Sequence, residues 1–127
     1  MSFSTKDIGS FGEKICLKYL KKQKYKILDT NARIGHLETD IIAINKTHII
    51  FTEVKTRNVN NVLSLRPSSA IDKQKQINLR SFAYAYIKKL PPKYKLLQPR
   101  MDTCEILIAV ENEKIRVCDL NYIEGAF

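Results

Sequence analysis

Two neighbouring segments rich in β-branched residues constrain the fold of this chain more than any other feature. They are His36 to Ile44 and His48 to Thr56, and only the polar stretch Asn45-Lys46-Thr47 separates them. A connection this short joins antiparallel strands, because parallel strands need a much longer crossover. The two segments therefore predict a β-hairpin with its turn at Lys46 and Thr47.

Periodicity elsewhere in the chain predicts two helices and three further strands. A helix opens near Ser69, where Ser69 and Asp72 approximate a capping box, and it ends at Pro91-Pro92. The remaining predicted elements are a helix over Thr5 to Lys24 and strands over Tyr25 to Asn31, Met101 to Glu111 and Lys114 to Leu120. The resulting order is α-β-β-β-α-β-β.

Composition is that of one globular domain over residues 1–127, since 44% of the residues are hydrophobic and 28% are charged. The apolar stretches are too short to cross a bilayer, and no apolar segment follows a basic leader at the start. We therefore expect no membrane partner and a cytoplasmic location. The three cysteines lack CxxC spacing, so we expect small core residues instead of a disulfide or zinc framework.

Net charge indicates the kind of partner. Lys and Arg total 22 against 13 Asp and Glu, which gives +9 and makes polyanions the natural partners. An excess of lysine that only keeps a small domain soluble is the alternative, and charge alone does not decide between them.

Charged residues interrupt the apolar pattern of both hairpin strands. Glu53 and Lys55 share one face of the second strand, and a turn between Lys46 and Thr47 places Asp40 of the first strand opposite Glu53. Facing carboxylates cost free energy unless a proton or a divalent cation lies between them, and Mg²⁺ is the hard cation that fits best. An exposed Glu–Lys ion pair on an edge strand is the alternative interpretation.

Two further charged residues stand where the helical patterns are apolar. Glu13 has no basic neighbour one turn away, so it is expected at the edge of the buried face, although a Glu favoured by the helix dipole is an equal alternative. Lys75 interrupts the apolar stripe of the second helix, where a lysine with its head group in water is the alternative.

Taken together in chain order, these acids and lysines resemble the PD-(D/E)xK constellation of restriction-endonuclease-like nucleases. More closely, the chain resembles the YraN family of small bacterial proteins, which are themselves similar to archaeal Holliday-junction resolvases. The residues that carry the resemblance are Gly12-Glu13, Asn31, Glu38 to Ala43, Phe51 to Arg57, Ile71 with Lys75-Gln76, Arg100 to Asp102, and Ala126-Phe127.

The resemblance implies a restriction-endonuclease-like fold, a mixed β-sheet flanked by helices, and a metal-dependent nuclease. Asp40, Glu53 and the carbonyl of Val54 would hold Mg²⁺ or Mn²⁺. Lys55 would orient the attacking water or stabilise charge on the phosphorus, and Glu13 would complete the outer shell of the metal.

Other matched residues would contact nucleic acid. The resemblance assigns phosphate contacts to Arg57, Arg66 and Lys75, and accessory positions to Glu38 and Gln76. It favours DNA over RNA as the substrate, with structured or branched DNA implied by analogy with the resolvases. It also includes a homodimer among the options, since resolvase-like folds cut symmetric junctions as dimers. A nucleic-acid-binding protein that keeps the fold without turnover is the main alternative, and a protein-binding scaffold is a third.

The chain departs from the family pattern at two places. Leu37 stands where the family usually has a glycine directly before Glu38, and Gly35 comes two residues earlier. The usual Phe-Gly pair is also missing between Arg57 and Pro67. A different entry to the strand that holds Glu38 and a different loop shape are therefore expected.

Overall fold

The computed structural model describes residues 3–60 and 71–127, and its helices and strands follow the predicted order. A short 3-10 turn at Pro92–Tyr94 separates the second helix from the fourth strand. The elements are α1 (Thr5–Lys22), β1 (Lys26–Ile34), β2 (Leu37–Ile44), β3 (His48–Asn58), α2 (Lys73–Lys89), β4 (Gln98–Glu111) and β5 (Lys114–Ile123).

The strands form one mixed sheet in the order β1-β2-β3-β4-β5. Neighbours are antiparallel except β3 and β4, which are parallel and are joined by the crossover that contains α2. The prediction of a mixed sheet flanked by helices is therefore confirmed. No helix in the described ranges is long and apolar enough to span a membrane.

Alternation along the strands builds a separate apolar core on each face of the sheet. Ile41 packs with Leu20 of α1, whereas its neighbour Ile42 packs with Phe51 and with Phe82 of α2. Because successive residues point to opposite faces, the two helices cover opposite faces of the sheet. A one-residue slip of β2 would exchange its contributions to the two cores, so the register is strongly specified.

The observed hairpin register is the predicted one. β2 and β3 are paired from Ile44 opposite Ile49 to Ile41 opposite Thr52. The Asn45 side-chain oxygen accepts hydrogen bonds from the main-chain N–H groups of the turn, which fixes the reversal of the chain.

The pairing of β2 with β3 stops partway along the two strands. Residues 37–39 of β2 remain paired only with β1, Asp40 has no partner in either register, and residues 53–58 of β3 remain paired only with β4. We call the paired stretch the closed end and these separated stretches, 37–40 and 53–58, the open end. Asp40 and Glu53 are the first residues of the open end on their two strands.

A close contact between α1 and β3 sets the position of the helix over the open end. A Cβ atom added to Gly12 would lie 1.8 Å from Oγ1 of Thr56, far inside van der Waals contact. Only glycine therefore allows this approach. The contact places the next residue, Glu13, over the strand that carries Glu53.

The second helix begins later than the sequence predicts. α2 begins at Lys73, and Asp72 is its N-cap, with a side chain that accepts a 2.8 Å hydrogen bond from the Lys75 N–H. Asp72 thus caps the helix itself, and does not serve as the third residue of a box opened by Ser69. Ser69 lies outside the described residues.

The entry to β2 explains one departure from the family pattern. β1 extends to Ile34, which pairs with Leu37, and the two residues between them form the turn. Gly35 has a φ of +62°, a conformation that glycine adopts at no steric cost. Gly35 therefore makes the turn, and Leu37 is free to pack against the core on the α2 face.

A buried polar network ties the end of β5 to β4 and β3. Asp102 is fully buried and accepts hydrogen bonds from Arg100, from the Tyr122 hydroxyl at 2.7 Å and from the Gly125 N–H at 2.9 Å. The Tyr122 hydroxyl also lies 2.8 Å from Oγ1 of Thr52. The charge-assisted bond to Asp102 fixes the Tyr122 hydroxyl. Tyr122 in turn holds Thr52, the residue directly before Glu53.

The cysteines follow their expectation only in part. Cys16 and Cys104 are buried neighbours in the core on the α1 face, but Cys118 is exposed. The expectation is wrong for Cys118 because it lies on β5, the edge strand of the sheet.

Candidate functional site

Asp40 and Glu53 meet where β2 and β3 separate. The Asp40 carboxylate accepts a 2.8 Å hydrogen bond from the N–H of Val54, and this bond replaces the next rung of the ladder. The Glu53 side chain is only 12% exposed. The split in the sheet therefore brings two carboxylates together at a point where the backbone no longer fills the space.

Their surroundings disfavour the charged form of both groups. Burial raises the pKa of Asp40, against the opposing effects of the Val54 hydrogen bond and of Lys75. Burial and then the neighbouring Asp40 carboxylate raise the pKa of Glu53. A positive charge placed between the two carboxylates would relieve both effects.

Lys75 supplies part of that positive charge, which the sequence analysis did not foresee. Its ammonium group forms a 2.5 Å ion pair with Oε1 of Glu53, and the lysine side chain is 48% exposed. Burial lowers the pKa of Lys75, but Glu53 and Asp40 outweigh it, so the pKa is raised. The sequence pattern predicted a proton or a divalent cation as the neutralising partner and did not predict Lys75, because the pattern does not show that the start of α2 lies directly over Glu53.

Glu13 approaches the same point from the opposite face of the sheet. Burial, followed by the charge of Asp40, raises the pKa of Glu13, and hydrogen bonding with Asn31 opposes the rise. Asn31 has a φ of 49° in the middle of β1, a conformation that asparagine tolerates better than most residues. The prediction that Glu13 lies at the edge of the buried face is confirmed, because it lines two cavities with Asp40.

These two cavities open the site on the α1 face. One, of about 230 Å³, is lined by Glu13, Asp40, Val54 and Thr56, among others. The other, of about 190 Å³, is lined by Glu13, Lys14, Asn31 and Asp40, among others. Ions and water can therefore reach Asp40 from the side opposite Lys75.

Unpartnered polar atoms concentrate around the open end. Among the described residues, the buried side-chain oxygens that lack a hydrogen-bond partner belong to Glu13, Thr39 and Glu105. Thr39 precedes Asp40, and Glu105 lies opposite Lys55 in the β3–β4 register. A buried polar atom without a partner is costly in a folded protein, so this concentration marks a place where a ligand would be stabilising.

The described residues contain two clustered carboxylates, but they do not form a complete protein cage for a metal. No group of three or more His, Cys, Asp or Glu side chains within 3–60 and 71–127 lies close enough together to hold an ion. Any ion at Asp40 and Glu53 would need main-chain oxygen or water as its other ligands.

A family model covers most of the chain, including every residue of the open end. The model described as "Uncharacterised protein family UPF0102" matches residues 12–106. The chain belongs to the UPF0102 family. This agrees with the YraN-like resemblance of the sequence.

Full-length relatives carry the same family name. A UPF0102 protein of Caldanaerobacter subterraneus subsp. tengcongensis is 42% identical over 123 residues, which are 96% of this chain and 95% of the relative. The UPF0102 protein of Caldicellulosiruptor saccharolyticus is 38% identical over 96% of this chain and 98% of its own. That of Dictyoglomus thermophilum is 33% identical over 98% and 99%.

Within this UPF0102 chain, Lys55 lies beside the carboxylates on the α2 face. It is exposed on β3, two residues beyond Glu53, and its charge acts to lower the pKa of Glu53. Its neighbour across the ladder is Glu105, a half-buried residue that the sequence analysis did not select. A signal was present, since Glu105 is an acid within the alternating apolar pattern of β4.

The remaining predicted residues make other contacts. Glu38 forms an exposed 3.2 Å ion pair with Arg33, and the Gln76 side chain donates to the carbonyl of Ile71 at 2.9 Å. Arg57 continues β3 opposite Leu107. Arg66 lies outside the described residues.

Proposed function

We propose that this protein is a metal-dependent nuclease of the PD-(D/E)xK type that hydrolyses phosphodiester bonds in nucleic acid. The observation that carries the proposal is the convergence of Asp40 and Glu53 at the open end, with Lys55 two residues farther along the same face. Acids that hold a cation and a lysine beside them are what this hydrolysis requires.

The donor set fits Mg²⁺ or Mn²⁺. Mg²⁺ keeps several of its waters and is commonly held by one or two carboxylates, so Asp40, Glu53 and the carbonyl of Val54 are sufficient. The raised pKa values of both acids and the unpartnered oxygen of Glu13 favour a cation at this point. Bound there, the ion would supply positive charge for the phosphate and a more acidic water.

Residues of the chain would perform the positioning. Lys55 holds the attacking water or the charge that develops on phosphorus, because a compact ammonium group can approach either one. Glu13 would accept a hydrogen bond from a water at the site through its unpartnered oxygen. Lys75 holds Glu53 in place and, being half exposed, can still approach a phosphate.

A second candidate is nucleic-acid binding without turnover. The ion pair between Lys75 and Glu53 favours it, because a lysine already neutralises one of the two carboxylates. The two candidates differ in what they require of Lys55, which acts on the transition state only in the nuclease.

Lys55→Ala separates the candidates. Cleavage of linear, flapped, four-way and RNA substrates is measured with Mg²⁺, with Mn²⁺ and with EDTA, and binding is measured in parallel. The nuclease predicts a loss on the order of 10²–10³ in rate with a far smaller loss in affinity. Lys55→Arg keeps the charge but replaces the ammonium group with a planar fork, so it should also cleave poorly.

Lys46→Ala is the matched control, since Lys46 is an exposed lysine at the turn of the same hairpin, at its closed end. It removes one charge and should leave cleavage unchanged. No metal-dependent cleavage by the unaltered protein, or a proportional loss of binding and cleavage in Lys55→Ala, would replace the nuclease with the second candidate.

Metal binding has its own test. Mn²⁺ should broaden NMR signals around Asp40 and Glu53 first, and Asp40→Asn should remove this effect because an amide is a weaker ligand than a carboxylate. Equal broadening in Asp40→Asn would show that the ion binds elsewhere.

A further inference from the structure

A row of lysines on the outer face of α1 begins beside the open end. Lys14, Lys18 and Lys21 are spaced four and three residues apart, so they lie on one side of the helix, and all three are exposed. We call these three residues the α1 track. None of them takes part in a salt bridge within the described part of the chain.

The α1 track is continuous with the candidate site at one end only. Lys14 lines the cavity of about 190 Å³ together with Glu13 and Asp40. On its other side, Lys14 borders a groove that also contains the acids Asp7 and Glu113. Positive charge therefore extends from Asp40 toward Lys21, away from the start of the helix.

We propose that the α1 track binds the phosphate backbone of double-stranded DNA and guides it to the open end. Lys14 to Lys21 span about 10 Å of helix. Duplex DNA carries one charge per about 1.7 Å of its axis, so this length faces roughly six phosphates counted over both strands. The proposal rests on the proposed function for its account of the open end.

The surface suits a duplex better than a single strand. Proteins that hold single strands usually offer exposed aromatic rings on which bases stack. The ring nearest in sequence to Lys18 is Tyr19, which is half-buried and stacked on Tyr122 at 5.2 Å between centroids. The α1 track thus offers groups that read phosphate and none that stack on a base.

Three of the lysines on the α2 side of the molecule already make contacts. Lys75 is paired with Glu53, Lys88 lies 4.3 Å from the ring centre of Tyr84, and Lys93 lies 5.0 Å from that of Tyr94. Contacts of this kind compete with phosphate for the ammonium group. The α1 track is therefore the better candidate for the first contact with DNA.

Two triple variants with equal charge test the proposal. One carries Lys14→Gln, Lys18→Gln and Lys21→Gln. The control carries Lys88→Gln, Lys89→Gln and Lys93→Gln. Glutamine has nearly the helix propensity of lysine, so both should fold, and circular dichroism checks this. Binding to a fluorescent DNA duplex is measured in EDTA, which prevents cleavage, over about 50 to 200 mM salt.

The α1-track variant should lose up to about 2.7 units from the slope of log K against log salt, and the control should keep the slope. At about 0.1 M salt the same loss corresponds to several-hundred-fold weaker binding. Equal losses in both variants would show that only overall charge matters, and an unchanged slope in the α1-track variant would place the surface elsewhere.

Duplex RNA and single-stranded DNA of the same length complete the experiment. Tighter binding to either one would overturn the assignment to duplex DNA. Because these measurements need no turnover, a protein that binds as expected but never cleaves would refute the nuclease and leave the α1 track in place.

Discussion

At the closed end, β2 and β3 are hydrogen-bonded to each other and bury Ile41, Ile42, Ile50 and Phe51 on the two faces of the sheet. A few residues farther along, at the open end, the same strands part and carry carboxylates with raised pKa values. The closed end contributes stability through apolar burial, whereas the open end accepts unfavourable electrostatics. Such a contrast is typical of a functional site, which tolerates local instability that the rest of the fold offsets.

The largest effect is expected where the closed end meets β4. Asp102→Asn removes the charge that holds Arg100 and should lower the free energy of unfolding by about 3–5 kcal/mol, because it breaks a largely buried ion pair and leaves the exposed Glu124 as the charged partner of Arg100. Glu124→Gln is the control, since Glu124 is a largely exposed acid on the same arginine and should cost no more than about 1 kcal/mol. Urea unfolding measures both. If the two variants lost similar stability, the buried position of Asp102 would not make its ion pair stronger than that of Glu124.

The second largest effect on stability is expected for the packing of α1 over the open end. Gly12→Ala should destabilise the protein by about 1–3 kcal/mol, since the new methyl group collides with Thr56. Gly9→Ala in the same helix meets nothing within 4 Å and should stabilise by about 0.5–1 kcal/mol through helix propensity alone. Thermal unfolding of the two variants measures the difference. If Gly12→Ala were stabilising, α1 would be able to move away from Thr56 without loss of stability.

Electrostatic strain at the open end should be visible without metal. A carboxyl group with a raised pKa holds its proton more tightly in the folded protein, so stability falls as pH rises from about 4 through the folded pKa. Asp40→Asn keeps an oxygen for the Val54 N–H and removes the charge. In EDTA at pH 7 it should unfold at a higher temperature than the unaltered protein, with the difference shrinking toward pH 4.

Glu38→Gln serves as the control for that measurement, because Glu38 is exposed on the same strand and paired with Arg33. It should leave the unfolding temperature nearly unchanged at both pH values. If Asp40→Asn were the less stable protein at pH 7, the open end would carry no such strain.

The smallest effect on stability is expected from removing Lys75, which partly neutralises the Glu53 carboxylate. Lys75→Met should cost up to about 1 kcal/mol at pH 7, a value typical of a partly exposed ion pair. The cost should disappear at low pH, because protonated Glu53 no longer needs a partner. Lys73→Met, at an exposed position in the first turn of the same helix, should show no such pH dependence. A cost independent of pH would indicate lost packing instead of a lost charge.

Patterns with a short period predicted that Asp40 and Glu53 face each other, but not that β2 and β3 separate at that point. Alternation and a short turn were enough to align Asp40 with Glu53, because a strand repeats every two residues and a hairpin turn leaves few registers. The order of helices and strands followed from the same kind of local information. Glu13 was also placed correctly, as the acid on α1 without a basic neighbour.

Contacts between segments that are distant in the sequence could not be predicted from local sequence patterns. The ion pair of Lys75 with Glu53 depends on where α2 packs against the sheet, which no periodicity in the sequence shows. Asp102 belongs to a segment that matches the family, but its buried network was not predicted, since its partners Tyr122 and Gly125 lie 20 or more positions away. The start of α2 was misplaced because Ser69 and Asp72 are both good caps, and only the helix geometry shows which one is used.

The network around Asp102 also has a consequence for the order in which the chain becomes stable during synthesis. β3 and β4 are complete once residue 111 has left the ribosome, but Asp102 then still lacks the Tyr122 hydroxyl and the Gly125 N–H. A nascent chain that ends before residue 122 must therefore leave those two bonds unmade. Translation of the strand β5 and the residues just after it is thus the step that completes the support behind Thr52 and Glu53.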